Sequence, residues 1–296
     1  MKKLDVSLHA DEPLRAGLLR VADALTLDAV DRIRCSSSDR GEDVHLVRVT
    51  IKRLRAMLRL IRPVISKTAF DRENARLRKA ARRLSFARDS DVARQTLATL
   101  PISKGRERDA AAAVLAGFNR EPEAEISKAT NQVKLDLEQT RRDLHRIRIS
   151  GREWKTIQPG LTEVYRQCRK RMERALRQRD DEDFHKWRIR VKNLYYELQM
   201  LQPAWPARLS KMVSGLERLQ GEIGADHDLV ILKRSLRKTP DAFNGAETVE
   251  ELIDSLDHKS RKLRRVTEPL GRAIFDQTSR RFVHELGQHW NKWRKV

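Results

Sequence analysis

Apolar residues recur along this chain at intervals of three and four, and no segment alternates convincingly with the two-residue period of a strand. The helix-start signal Asp11-Glu12-Pro13 opens a periodic stretch that runs to about Arg34, and Cys35 to Gly41 reads as a Ser-rich loop. Helices are then expected at 42–62, 67–88, 90–99 and 104–119, followed by a long charged stretch at 121–149. Near Ser150-Gly151 the pattern restarts, with helices at about 160–179, 182–201, 205–223, 228–237, 246–265 and 267–293. Breaks are expected at Pro203, Pro206, Pro240 and Gly245. The expected fold is all-α: two similar antiparallel four-helix bundles with a basic groove or channel at the centre.

A repeated motif divides the chain. His45-Leu46-Val47-Arg48-Val49-Thr50-Ile51-Lys52 returns 140 residues later as His185-Lys186-Trp187-Arg188-Ile189-Arg190-Val191-Lys192. Each copy follows an acidic run and leads into Arg62-Pro63 or Gln202-Pro203. About 40 residues beyond each His, Arg88-Asp89 with Val92 and Leu97 matches His227-Asp228 with Ile231 and Leu236. Two matched segments in the same order imply an internal duplication, with one helical repeat in 1–150 and the other in 151–296.

Viewed down its axis, the first repeated helix places His45, Arg48, Lys52, Arg55, Arg59 and Arg62 on an arc about 100° wide. Most of the remaining circumference is apolar, so the helix should be largely buried and its basic stripe should line a groove between helices. No acid interrupts the stretch from Val44 to Ile65, and a row of like charges is self-destabilising without an anion. The second copy keeps His185, Arg188 and Lys192, while Tyr195, Gln199 and Gln202 replace the later arginines. The recurring core is therefore His, Arg at +3 and Lys at +7. A further stripe runs through Arg72, Arg76, Lys79 and Arg83; its second-half counterpart keeps Lys211 and Arg218. Arg166, Arg169, Lys170 and Arg177 cluster on another face, and Arg141, Arg142, His145, Arg146 and Arg148 form a dense run of the kind usually solvated.

Composition adds a polyanionic partner to this picture. The net charge is +21, and it is shared: 32 Lys+Arg against 21 Asp+Glu in 1–150, and 31 against 21 in 151–296. The charge thus belongs to the repeated fold and not to a tail, and its self-repulsion calls for an anion. The two cysteines, Cys35 and Cys168, have no CxxC spacing and suggest a reducing compartment. Neither a membrane-spanning run nor an apolar signal-peptide core is present, so a cytoplasmic protein without a membrane partner is expected.

Catalytic signatures are sparse. The chain has no Gly-rich phosphate loop, no Ser/His/Asp nucleophile pattern and no Cys/His zinc spacing. His185 followed by His227-Asp228 has the order of a metal-dependent phosphohydrolase, but the duplication sets Arg88 against His227, and arginine is no metal ligand. A simpler role for Asp89 and Asp228 is to cap the next helix or orient an arginine. No metal site, cofactor or enzymatic activity is expected.

The paired pattern, His-x-x-Arg-x-x-x-Lys with Arg-Asp or His-Asp about 40 residues on, twice over, resembles the CHAD family (conserved histidine α-helical domain) across roughly residues 11 to 290. The resemblance implies two similar four-helix bundles around a basic cavity that binds inorganic polyphosphate, in some bacteria at polyphosphate granules. It maps the family's basic residues onto His45, Arg48, Lys52, Arg55, His185, Arg188 and Lys192. Tyr195, standing where the first copy has Arg55, is a departure. Polyphosphate has closely spaced charges and no bases to read, so cations along a channel suffice to hold it. Arg59, Arg76, Lys79, Arg83, Arg166, Arg169, Lys211 and Arg218 complete the candidate set from their stripes. Nucleic acid is the alternative partner, although aromatics are only 5% and none interleaves with the first stripe.

Overall fold

The computed structural model describes residues 4–35, 40–84, 123–238 and 246–295. Among these residues the fold is entirely helical. Nine α-helices follow in order: α1 (Leu14–Arg34), α2 (Arg40–Ile61), α3 (Lys67–Arg83), α4 (Glu123–Arg146), α5 (Trp154–Gln178), α6 (Asp181–Leu201), α7 (Pro206–Lys238), α8 (Ala246–Ile274) and α9 (Ser279–Trp293). The helices expected at 90–99 and 104–119, the Arg88-Asp89 motif and the breaks at Pro240 and Gly245 lie outside the described residues.

Contacts divide the helices into groups. α1 packs on α2 and α4, and α3 packs on the same two, so these four form a ring. In the second group α6 lies between α5 and α7, α8 packs along α7, and α9 packs on α5. The groups meet where α2, which carries the first His motif, packs on α5 and on α6, which carries the second. Short 3-10 turns follow α2 (Arg62–Val64) and α6 (Gln202–Ala204), at the 140-residue offset of the sequence motif.

Local chemistry explains the helix ends. Ser66 accepts from Ala69 N, Asp180 from Asp183 N and Thr278 from Arg281 N, each supplying an acceptor to an otherwise orphaned first turn. Asp181, Glu182 and Asp183 crowd the first turn of α6, where the helix dipole favours negative charge. Burial explains the rest. On α2, Val47, Ile51, Leu54, Met57, Leu58 and Leu60 all enter the core, leaving a narrow strip for the basic residues. Trp187, Val191, Leu194 and Leu198 do the same on α6. Gly160 of α5 touches α2 so closely that a Cβ there would lie 1.9 Å from the Leu60 carbonyl oxygen.

Three boundaries differ from the sequence expectation. The helices expected at 205–223 and 228–237 are one 33-residue helix, α7, because packing against α6 and α8 carries it through Gly221 and Gly224. α8 continues through Pro269 to Ile274, past the break expected near residue 266, and chain reversal comes instead at the Thr278 cap. α5 starts at Trp154, ahead of Pro159, which the second turn of the helix accommodates.

Candidate functional site

On α2 the stripe changes character along its length. His45, near the start, is exposed, and Arg48 and Lys52 are half-buried. Arg48 donates to the Ala81 carbonyl of α3 at 3.0 Å. Deeper in, Arg55 donates to Asn74 Oδ1 at 3.1 Å. Arg59 donates to the Arg55 carbonyl at 3.0 Å and, across the α2–α6 contact, to Asn193 Oδ1 at 3.3 Å. These acceptors are neutral oxygens. Burial, with Arg78 nearby, lowers the Arg55 pKa. Burial together with Arg55 brings Arg59 down to about 10, against a partial opposing pull from Glu197. The Glu197 carboxyl is fully buried, and neither oxygen has a hydrogen-bond partner among the described residues. Burial pushes its pKa well up, so the neutral acid is favoured and Arg59 gains little compensation from it.

The α6 copy is built differently. His185 is half-buried and its ring lies against that of His227 on α7, with centroids 4.4 Å apart and planes 33° from parallel. Burial first, and then the charges of Arg188 and Lys192 of α6 and of Arg234 of α7, disfavour protonation of both rings. The Arg188 guanidinium passes over Gly224, where a Cβ would sit 3.5 Å from it. Two turns beyond Arg188, Tyr195 donates to Glu217 at 3.3 Å, and Arg53 of α2 lies 5.7 Å from the Tyr196 ring. The N-terminus of α6 is held by Arg264 of α8, which donates to Asp181, Asp226 and the Arg179 carbonyl.

Other candidates are spread over the fold. Arg76 bonds Glu73 and Asp143, and Arg83 bonds Asp136, so these two α3 cations turn toward α4 and are neutralised there. Arg166 pairs with Glu163 on its own helix, and Arg169 pairs with Glu173 and donates to the Gln277 carbonyl. Lys79 on α3 and Lys211 and Arg218 on α7 are exposed. The Arg141–Arg146 run lines a groove of about 690 Å³ between α1 and α4 with Thr26, Val30 and Arg34; there Arg141 and His145 already share Asp23. Asp228 sits mid-helix in α7, so it caps nothing, while Asp89 lies outside the described residues. Among the described residues no three His, Cys, Asp or Glu side chains come together in a group able to hold a metal ion.

Two further residues join the candidate set: Arg234, which lies outside the stripes read from the sequence, and His227, which is weighed there only as a metal ligand. Their +7 spacing repeats that of His45–Lys52 and His185–Lys192, and that interval was the available signal. Matching His227 to an arginine hid it.

The fold and these stripes define a class: an all-α protein in which two helices that pack on one another where the groups meet each carry a His, Arg, Lys series. The chain belongs to the CHAD domain family, whose model matches residues 19–237. It is also similar to the crystal structure of the CHAD domain from the plant Ricinus communis, with a TM-score of 0.65 at 20% identity over 92% of this chain and 94% of that one. No curated protein matches the chain. Among the described residues no helix is long and apolar enough to cross a membrane.

Proposed function

We propose that this chain binds inorganic polyphosphate along the basic faces of α2 and α6, through two copies of an internal duplication (1–150 and 151–296), and that it does so without catalysing a reaction. The observation that carries this reading is the state of Arg55 and Arg59. Both guanidinium groups are desolvated and bonded to neutral oxygens, and Glu197, the acid that pulls against the Arg59 shift, is held toward its neutral form. Positive charge kept this way is costly in the empty protein and is relieved by an anion. His45, Arg48 and Lys52 extend that line on α2, and His185, Arg188 and Lys192 continue it on α6. The pairing of Arg76, Arg83, Arg166 and Arg169 with protein acids leaves them as structural supports. The two 3-10 turns 140 residues apart support the duplication.

A linear polyphosphate suits such a line, since each phosphate offers oxygens for one guanidinium or ammonium and nothing needs base stacking. The cations around His185 and His227 repel a divalent metal, which favours holding over hydrolysis. In a cell that stores polyphosphate the protein would work in the cytoplasm, at the granule.

Salt-controlled competition tests the proposal. Labelled long-chain polyphosphate is bound to the protein and challenged with single-stranded DNA and RNA at matched charge, alongside Arg48→Ala/Lys52→Ala and Arg188→Ala/Lys192→Ala variants. Polyphosphate should resist displacement and both variants should bind it more weakly. Displacement charge for charge, with both variants behaving as wild type, would make the protein a general polyanion binder whose site lies elsewhere.

A further inference from the structure

The contact between His185 and His227 is not explained by charge-based capture alone. Two imidazoles with centroids 4.4 Å apart, both partly buried, feel the charge of three permanent cations from the two helices that carry them. Arg188 and Lys192 come from α6 and Arg234 from α7, and Glu182 is the acid that pulls the other way on His185. Four described acids of these and neighbouring helices are engaged with other cations. Asp181 and Asp226 hold Arg264 of α8, Asp257 of α8 holds Lys233, and Asp183 holds Arg174 of α5. His185 Nδ1 is buried and has no hydrogen-bond partner among the described residues.

Such a cluster keeps both rings neutral while empty. Burial first, then Arg188, His185, Arg234 and Lys192, lower the His227 pKa to about 4, and burial with Arg188 and Arg234 lowers that of His185. A phosphate group placed among these cations reverses the sign of the local field. The positive charge that Arg188 and Arg234 made unfavourable on a ring then becomes favourable, and His185 has an unused nitrogen to protonate or to donate from.

We propose that the His185–His227 pair, framed by Arg188, Lys192 and Arg234, is a proton-coupled subsite for one phosphate group of the bound chain. When the phosphate enters, one imidazole takes up a proton from solvent; when it leaves, the proton returns. This rests on the polyphosphate reading and adds to it His227, Arg234 and a coupling that the α2 copy lacks, because the position matching His227 there is Arg88, a permanent cation. Phosphate binding raises the imidazole pKa from its low empty-state value. Above about pH 4 the affinity therefore falls as pH rises, by up to about tenfold per pH unit for one coupled proton.

Calorimetry on the full chain measures the coupling directly. Long-chain polyphosphate is the probe, because its internal phosphates carry no proton that titrates near neutrality. Titrations at pH 6.5 and fixed ionic strength, in buffers of different ionisation enthalpy, give protons taken up per protein bound. About one proton is expected for the wild type. His227→Arg, which installs the residue of the other copy, should abolish the uptake and bind at pH 8 at least as tightly as the wild type. His185→Gln should also lose the uptake, but with weaker binding at pH 6. Should His227→Arg fail to fold in a thermal melt, His227→Gln replaces it, with the same loss of uptake expected. Binding without proton uptake by the wild type, or uptake that survives in both ring variants, overturns the coupled subsite while leaving polyphosphate binding intact. Wild-type affinity in Arg188→Ala/Lys192→Ala overturns the α6 site itself.

Discussion

The helices α2 and α6 carry the same His, Arg, Lys series and pack on one another, yet they hold positive charge by different means. On α2 the charge is permanent: Arg55 and Arg59 are sunk between helices, bonded to carbonyl and amide oxygens. On α6 the later arginines are replaced by Tyr195 and Gln199, Tyr195 is bonded to Glu217, and the charge ahead of them adjoins a pair of imidazoles. In the proposed binding mode the α2 cations are permanent, and the imidazole pair beside the α6 cations gains charge with the ligand.

The packing that supports the two helices also differs, and it offers the largest test. Gly160 meets α2 backbone to backbone, with a Cβ only 1.9 Å from Leu60 O, whereas Gly271 of α8 meets side chains, the Met172 sulfur of α5 and the Trp187 ring of α6, at 2.8–3.1 Å. Gly160→Ala should cost about 3–5 kcal/mol, because neither backbone can yield. Gly271→Ala should cost about 1–3 kcal/mol, since Met172 is flexible. Chemical denaturation of the two variants checks the order, and equal losses would mean that the helices are seated alike.

Binding gives the next test. Removing Arg48 and Lys52 together should lower the slope of log affinity against log salt by about two, one for each phosphate left without its cation. Removing Arg188 and Lys192 should lower it by about the same amount and also flatten the pH dependence of binding. An unchanged salt slope in the α2 variant would locate the bound chain on α6 alone.

Much of this arrangement was legible in sequence. The apolar rows of α2 and α6 announced buried helices, and the arc from His45 to Arg62 announced a stripe without acids, because both follow from residues three and four apart. Partners distant in sequence were hidden. Nothing near Arg76 or Arg83 reveals that Asp143 and Asp136 on α4 neutralise them, so the α3 stripe resembled a binding surface. The continuity of α7 was hidden too: Gly221 and Gly224 look like a break, but the packing of α6 and α8 against that helix outweighs their propensity. His227 is set aside as a metal ligand because it aligns with Arg88; the proposed proton coupling rests instead on that change from arginine to histidine.

Glu197 sharpens the comparison from the α6 side. A carboxyl whose folded pKa is raised stabilises the fold less as pH rises above its unfolded value of about 4.5, because the unfolded chain ionises and the buried group does not. Glu197→Gln removes that loss, so the variant should match the wild type near pH 4.5 and exceed it at pH 8 by about 1–2 kcal/mol. A destabilisation of about 3 kcal/mol or more would instead make Glu197 an ionised partner of Arg59, and α2 would then carry a compensated charge.

The smallest effect has the opposite sign and isolates the imidazole pair in the empty protein. The His227 pKa falls on folding from 6.5 to about 4, so between those values the unfolded chain binds a proton that the folded chain does not. Stability from this group is complete above about pH 7 and is lost as pH drops through 6.5 toward 4. His227→Gln should therefore equal the wild type at pH 7.5 and be more stable at pH 5, by about 1 kcal/mol after allowance for the partial solvent access of the ring. Thermal melts of both proteins at the two pH values measure this difference of differences, which cancels the acid sensitivity contributed by other carboxylates and histidines. With saturating polyphosphate the pH 5 advantage of the variant should vanish, because the bound phosphate removes the penalty on the charged ring. An advantage that persists in the complex would show that the phosphate group does not reach His227, and the coupling would then have to be carried by His185 alone.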